Sequence, residues 1–346
     1  MSEKYKYSVS VVVPTYNPSW ERVRATLNSV IFQKGVNFEI IITDDCSKEN
    51  HFEKIKDLFS RYSFTDYKLI SHEKNQGTVL NFLDAAKKSD GAYIRGLGQG
   101  DMFFDEYALK DSYNDIVQNN SDVSISKAVY FEANSNPVKL FQNRRCPQDI
   151  DAYKDTELLR TSYLLNNDGA SGVNMLYEHD VLVKYFEECS VEKQGGGVKY
   201  VEDFIIRLMV FDKKKIHFFD RNVVYYEHGI GISTSKQSKD IAQQINNDGL
   251  TIDKMLIERC KASPSEFSEK LIASIESRIN TQKKQDFIHK TIRSSKSLLL
   301  SIALSIPIIR KSLRKLRNTI QVHKNNFIMT DINVSTDFAN LCINSY

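Results

Sequence analysis

Apolar and polar residues alternate in blocks along the first hundred positions. Val9–Val13 is a mostly apolar, β-branched run that stops at Pro14. Such a run marks a strand covered on both faces. Behind it Trp20, Val23, Leu27, Val30 and Ile31 recur at helical spacing, with Ser19 placed to cap. Phe38–Thr43 predicts a second buried strand, ending in Asp44 and Asp45. Phe52, Ile55, Leu58 and Phe59 mark a second helix, Tyr67–Ser71 a third strand, and Asn75–Gly77 a turn. Val79, Phe82, Leu83 and Ala86 give a third helix. A fourth strand around Tyr93 then runs into Gly96, Gly98, Gly100 and Asp101. Strands alternating with helices of ~10–15 residues predict βαβ units around a mostly parallel, Rossmann-like sheet flanked by helices.

The pattern loosens over residues 105–230. Tyr107–Gln118 reads as a helix, Asp122–Glu132 as an alternating strand, and Val138–Phe141 as its hairpin partner. Asp168–Asn174 is a glycine-containing polar loop. Val201–Val210 reads as a helix, and Ile216–Phe219 and Val223–Tyr226 as two short strands. After Ser235 the chain becomes polar and helical, with no glycine beyond Gly249. This predicts an α/β domain over 1–235 and a helical, basic extension over 236–346.

The 346 residues are 41% hydrophobic and 26% charged with a net charge of +3, which gives no general sign of nucleic-acid binding. Charge is nevertheless uneven: from Phe287 to Met329 there is no acid, while Lys and Arg accumulate. Ile309, Leu313, Leu316 and Ile320 form a stripe opposite Arg310, Lys311, Arg314, Lys315 and Arg317. A helix of that kind either packs on a neighbour with a solvated basic face or lies in a membrane interface. The second reading predicts peripheral membrane contact through 290–324, since each basic residue near an anionic leaflet is worth ~1 kcal/mol. No stretch reaches the ~20 apolar residues of a membrane span, and no signal-peptide pattern opens the chain. Five scattered cysteines without a CxxC fit a reducing compartment rather than a disulfide framework or zinc site.

Four polar turns close successive strands: Pro14–Asn17, Asp44–Asp45, Asn75–Gly77 and Gly100–Asp101. Each alone is an ordinary turn composition. Together, at carboxyl ends of strands in an open α/β sheet, they can converge on one ligand crevice. Glycine before Asp101 lets backbone approach a ligand closely. The expectation is that Asp101 holds a metal ion against a nucleotide diphosphate.

The stretches SVSVVVPTYN, FEIIITDDCS, KNQGTVLNFLDAA and YIRGLGQGDMFF follow one another as in the inverting family 2 glycosyltransferases of the GT-A fold, which residues 8–235 resemble. The resemblance implies a nucleotide-sugar donor, uridine-diphosphate-linked, bound by Pro14, Tyr16, Asn17, Asp45, Asn75, Gly77, Asn81, Gly100, Asp101 and His228. Asp101 matches the last acid of the family's DxD-type motif, and His228 matches a histidine beside the diphosphate and metal. The implied cofactor is Mn²⁺ or Mg²⁺. The chain departs from the family at Gln99 and Gly100, where another acid usually precedes that Asp. A phosphate-bound cation uses only one or two carboxylates, so Asp101 could serve. The "ED" pair Glu202–Asp203 matches the family's base position, with Arg207 and Leu208 following. Asp203 is therefore the implied general base, and Gly172 and Glu202 lie on the acceptor side. The implied acceptor is a hydroxyl of a glycan or lipid-linked sugar in bacterial surface polysaccharide assembly, on the inner face of the cell membrane.

Two rival classes remain at this level. A non-catalytic nucleotide-sugar-binding or scaffold protein would explain the missing acid before Asp101. A nucleotidyltransferase would want a glycine- and lysine-rich phosphate loop after the first strand, and PTYNPSW is not one.

Overall fold

The structure, a computed structural model, describes residues 4–132, 139–141, 147, 149–190, 197–231, 238–280 and 336–345. Their internal packing divides the chain into two units. The first comprises 1–256 and 331–346, the second 257–330.

The first unit is built on β1 (Tyr7–Thr15), β2 (Phe38–Asp44), β3 (Tyr67–Ser71) and β4 (Gly91–Gly96), parallel in the order β3-β2-β1-β4. Between them run α1 (Trp20–Ile31), α2 (Phe52–Arg61) and α3 (Thr78–Lys87). Val9, Val11, Val12 and Val13 are wholly buried, as are Ile40, Ile41 and Ile42. This is the double coverage that the β-branched runs require. Ser10 interrupts the first run but donates to the buried Glu39 carboxylate at 2.7 Å, and Lys68 pairs with the same group at 3.2 Å. No polar cost is left uncompensated there. β1 has β2 on one side and β4 on the other, so strand order reverses between β1 and β4. Open α/β sheets bind ligands at that switch point, beyond the strands' carboxyl ends.

Beyond β4 the sheet becomes mixed. It continues through β8 (Met175–Glu178), β6 (Val123–Glu132), β9 (Ile216–Glu227) and β5 (Met102–Phe103), with β7 (Lys139–Phe141) paired to β6. These nine strands form one sheet among the described residues. β4–β8, β6–β8 and β5–β9 are antiparallel, whereas β6–β9 is parallel. The two short strands expected at 216–219 and 223–226 are one continuous strand. The polar Asp220–Asn222 segment is absorbed by register shifts opposite Lys127, the device by which a ladder accommodates extra residues. α4 (Ala108–Gln118) follows β5, α5 (Thr156–Arg160) lies between β7 and β8 in the chain, and α6 (His179–Ser190) follows β8.

The helix expected over 201–210 is split. A 3₁₀ turn, Glu202–Phe204, precedes α7 (Ile206–Phe211). Ser19 occupies the cap position of α1 but makes no cap bond, because its hydroxyl donates to Glu21 at 2.7 Å. α8 (Lys239–Ala262) begins in the first unit, where Asp248 accepts from Tyr200 N at 2.6 Å and Asp253 pairs with Arg207 at 2.9 Å. The C-terminal helix Thr336–Asn344 lies on α1. Arg24 donates to the carbonyls of Ile343 (2.7 Å) and Ser345, and Asn28 to that of Cys342 (2.8 Å). Those side chains satisfy the carbonyls that a helix end leaves open.

In the second unit, residues 266–280 are helical, with the Ser265 hydroxyl accepting from Ser268 N at 3.1 Å at the start. The basic stretch 290–324 lies outside the described residues, as does Cys146. Among the described residues no helix is long and apolar enough to cross a membrane. Cys46, Cys189, Cys260 and Cys342 are free thiols.

Candidate active site

The polar turns after β1 and β2 are cross-braced. Thr15 donates its hydroxyl to Asp44 at 3.0 Å, and Ser47 N–H donates to the same carboxylate at 2.8 Å. Asn17, in the left-handed region at φ 46°, donates its N–H to Ser47 Oγ at 2.6 Å and accepts from Lys48 N at 3.1 Å. Asp44 therefore builds the turn. Tyr16 stands half exposed beside it. Asp45 faces elsewhere. Its two carboxylate oxygens accept from Gln76 N (2.7 Å) and Gly77 N (2.8 Å), and its carbonyl accepts from Asn75 at 3.4 Å. One predicted donor residue thus fixes the turn carrying two others.

Gly77 has φ +90°, and a Cβ there would come within 2.9 Å of the Lys199 carbonyl oxygen. That oxygen also accepts from Val79 N at 3.1 Å. The Asn75–Gly77 turn consequently abuts the segment leading to Glu202–Asp203. Asn81 is buried and turned into β2, where it accepts from Thr43 Oγ1 at 2.6 Å and donates to Thr43 O at 3.3 Å. Asn81→Ala is expected to cost about 1–3 kcal/mol through the unpaired Thr43 groups. Urea unfolding would show that loss, and nucleotide titration of the folded variant would show unchanged affinity.

The glycine stretch after β4 is held from both flanks. On the α1 side, Gly100 N donates to Thr26 Oγ1 at 2.9 Å, and Gln99 Oε1 accepts from Ser19 N at 3.1 Å. Gln99, standing where the family's acid would be, is a strut. On the β9 side, Asp101 Oδ1 accepts from Glu227 N at 3.0 Å. Gly100 has φ +94°, and the Glu227 carboxylate occupies the space a Cβ would need. Arg22 of α1 grips that carboxylate with two bonds, 2.7 and 3.0 Å. Asp101 is 6% and Glu227 5% exposed. Burial, seconded by the Glu227 charge, pushes the Asp101 carboxyl up to about 8.

On the acceptor side, Gly172 opens a 3₁₀ turn, Gly172–Asn174, against the acidic pair. A Cβ on Gly172 would lie 3.3 Å from Glu202 Oε1 and 3.6 Å from Asp203 Cβ. The three predicted acceptor-side and base residues are thus neighbours. Burial, then the negative charges of Asp203 and Asp168, raise the Tyr163 phenol, which stays protonated beside them. Arg95, at the end of β4 and wholly buried, donates Nη2 to the Val173 carbonyl at 2.7 Å. Its Nε and Nη1 have no partner among the described residues, and burial lowers its guanidinium to about 9. It remains a cation at neutral pH and ties the Gly172–Asn174 turn to the strand that delivers Asp101.

His228 follows Glu227 out of β9. Its N–H donates to Phe131 O at 2.9 Å, and its Nδ1 lies 3.8 Å from Glu132 Oε1. The residue placed against Asp101 is Glu227, which the sequence reading passed over, together with Arg22 and Lys199. The available signal was an acid inside the apolar strand pattern VVYYEHG.

A divalent cation on a diphosphate needs one or two hard carboxylates and few other protein ligands. Among the described residues no three His, Cys, Asp or Glu groups converge as a closed metal cage. The residues do fit the smaller requirement. Asp101 is a hard oxygen donor with a second carboxylate beside it, and Gly98 keeps clear the space near Asp101 Oδ2, 3.0 Å from where a Cβ would stand. Asp101 is the residue that would hold the ion.

Comparisons with known proteins place the chain. The family described as Glycosyl transferase family 2 matches residues 10–186, half of the chain. A Haemophilus influenzae protein named as an uncharacterized glycosyltransferase is 37% identical over 30% of this chain and 32% of its own. The Staphylococcus aureus poly(ribitol-phosphate) beta-N-acetylglucosaminyltransferase TarP is 31% identical over 39% of this chain and 41% of its own. These matches span 32% and 41% of the relatives' own lengths. The crystal structure of S. aureus TarS 1-349 in complex with UDP superposes with a TM-score of 0.53 at 20% identity, covering 78% of this chain and 71% of that one. At that identity the likeness establishes a common fold.

Proposed function

We propose, for a chain that belongs to glycosyl transferase family 2, that it moves one sugar from a uridine-diphosphate sugar to a hydroxyl of a glycan or lipid-linked sugar, with inversion at the anomeric carbon. The observation that carries this reading is the linkage of the polar strand ends. Asp45 fixes the Asn75–Gly77 turn, Gly77 abuts Lys199, and four residues later comes Asp203, against Gly172. Asp45 and Asp203, far apart in sequence, are thereby joined through the Asn75–Gly77 turn and the segment at Lys199. TarS, of like fold, was crystallised with UDP, and TarP is named for N-acetylglucosamine transfer. Both support a uridine nucleotide and a hexosaminyl or hexosyl group for this chain.

In the proposed step Asp203 takes the proton from the acceptor hydroxyl as that oxygen bonds to the anomeric carbon. The bond from that carbon to the diphosphate oxygen breaks on the opposite face, and uridine diphosphate leaves with the electron pair. No protein nucleophile is needed for a single inversion. Asp101 is the residue that would hold a Mn²⁺ or Mg²⁺, which would supply charge neutralisation for the departing diphosphate. The half-exposed Tyr16 and the Asp45-braced turn position the nucleoside, and Gly172 leaves room for the acceptor beside Asp203.

Thermal shift with a panel of nucleotide sugars, with and without Mn²⁺, tests the donor. UDP at a hundred times its Kd should stabilise the protein by about 2.7 kcal/mol by mass action. A panel in which no uridine nucleotide raises Tm contradicts the reading.

A further inference from the structure

We propose that Glu227 is a positioning residue for Asp101, supplying from β9 the second negative charge that the glycine stretch lacks, with Arg22 as its counter-ion. This rests on the donor reading above and names a residue which that reading does not use.

Four observations converge on it. β5 pairs antiparallel with β9, Met102 opposite Tyr225, so the ladder itself brings Glu227 to Asp101. The Glu227 N–H donates to Asp101 Oδ1, which fixes the carboxyl's orientation. The Glu227 carboxylate fills the space beside Gly100, so that the turn can carry only glycine there. Arg22 holds the carboxylate in a two-bond fork from α1. The Glu227 carboxylate is buried while Arg22 stays about a third exposed, and a charge taken out of water in this way is a poor means of gaining stability compared with apolar packing. Its place against the one carboxylate expected to meet a cation points to an electrostatic task. Gln99, at the usual position of the acid, is spent on Ser19. A charge delivered by the neighbouring strand does the same work at the same carboxylate.

The charges make a prediction that a purely structural ion pair does not. Removing the Glu227 charge leaves Arg22, which stands beside Gly100, without its forked partner one residue from Asp101, and a divalent cation is repelled. Removing the Arg22 charge leaves the acids in excess, and the cation is not repelled. The experiment uses the full chain as wild type, Glu227→Gln and Arg22→Gln at pH 8. Mn²⁺ binding in the presence of UDP is measured by electron paramagnetic resonance of free Mn²⁺, and UDP binding without metal by calorimetry. Glutamine keeps the side-chain volume beside Gly100 and the backbone N–H to Asp101. Glu227→Gln should weaken Mn²⁺ at least tenfold, while metal-free UDP binding changes less than threefold. Arg22→Gln should leave Mn²⁺ binding unchanged or tighter. Parallel weakening in both variants, or no change in Glu227→Gln, overturns the inference. Wild-type protein that binds UDP but no Mn²⁺ overturns it too and leaves the donor reading standing. Wild-type protein that binds no UDP overturns both. Tm of each variant confirms folding, and Glu227→Asp, which keeps the charge, should recover at least part of the lost Mn²⁺ affinity.

Discussion

Asp203→Asn is expected to lower sugar transfer by about 10²–10⁴-fold, the range for removing a positioned general base, with UDP affinity unchanged. The amide has nearly the carboxylate's shape, so the turn Glu202–Phe204 and its contact with Gly172 should persist. What is lost is the basic carboxylate that takes the acceptor's proton. The expected signature is a fall in kcat and kcat/KM together, with the donor's dissociation constant constant, because the interaction exists only as the hydroxyl is deprotonated. Steady-state transfer assays with matched UDP calorimetry check it. Glu202→Gln serves as the comparison: Glu202 lies beside Gly172 and should affect acceptor KM more than kcat. Equal loss in the two variants would reassign the base.

The second large effect combines loss of activity with gain of stability. Asp101→Asn should reduce metal-supported transfer at least ~10²-fold and yet raise the Tm of the metal-free protein at pH 8. The Asp101 carboxyl is held up near 8 in the fold, above its ordinary value of 3.8, by burial and then by Glu227. A carboxyl with a raised folded-state value binds its proton more tightly native than unfolded. The unfolded chain therefore releases that proton first, and stability falls as pH rises from about 4 to about 8. Each tenfold difference in proton affinity is worth about 1.4 kcal/mol. Asparagine keeps the oxygen that accepts from Glu227 N–H and carries no proton to lose. In EDTA the variant should lie close to wild type near pH 4 and be clearly the more stable of the two at pH 8. Denaturant melts at the two pH values decide this. Stability given up for a buried charge at a working site is a common trade.

Much of the N-terminal half was legible because its signals are local. Val9–Val13 and Ile40–Ile42 are buried on both faces, and a strand buried on both faces has to be apolar at consecutive positions. The four polar turns were legible for the same reason: they interrupt those runs. β8 and α6 were not read. Strand passes to helix at Glu178–His179 without a glycine or proline, because the Glu178 side chain itself caps the helix, accepting from Val181 N at 2.7 Å. Residues 216–227 were divided in two because Asp220, Arg221 and Asn222 break the apolar pattern, whereas the ladder shifts register there and carries on. The site divides along the same line. Asp45, Asp101, Gly172 and Asp203 are candidates that motifs of neighbouring letters name. Glu227 gains its significance from a strand pairing 126 positions away in the chain, and Arg95 from a carbonyl 78 positions away. Asn81, named from its motif, is hydrogen-bonded to Thr43, a pairing the motif does not report. Local patterns report which polar residues are present, and only the ladder reports which of them face one another.

The account stands on residues near Asp45, Asp101 and Asp203 serving one nucleotide. Hydrogen exchange of the full chain, titrated with UDP and Mn²⁺, tests that most directly. Amides in 15–17, 75–77, 98–102 and 199–203 should slow together, with one shared midpoint in UDP concentration. Protection confined to other segments, or separate midpoints for 98–102 and 199–203, would contradict it.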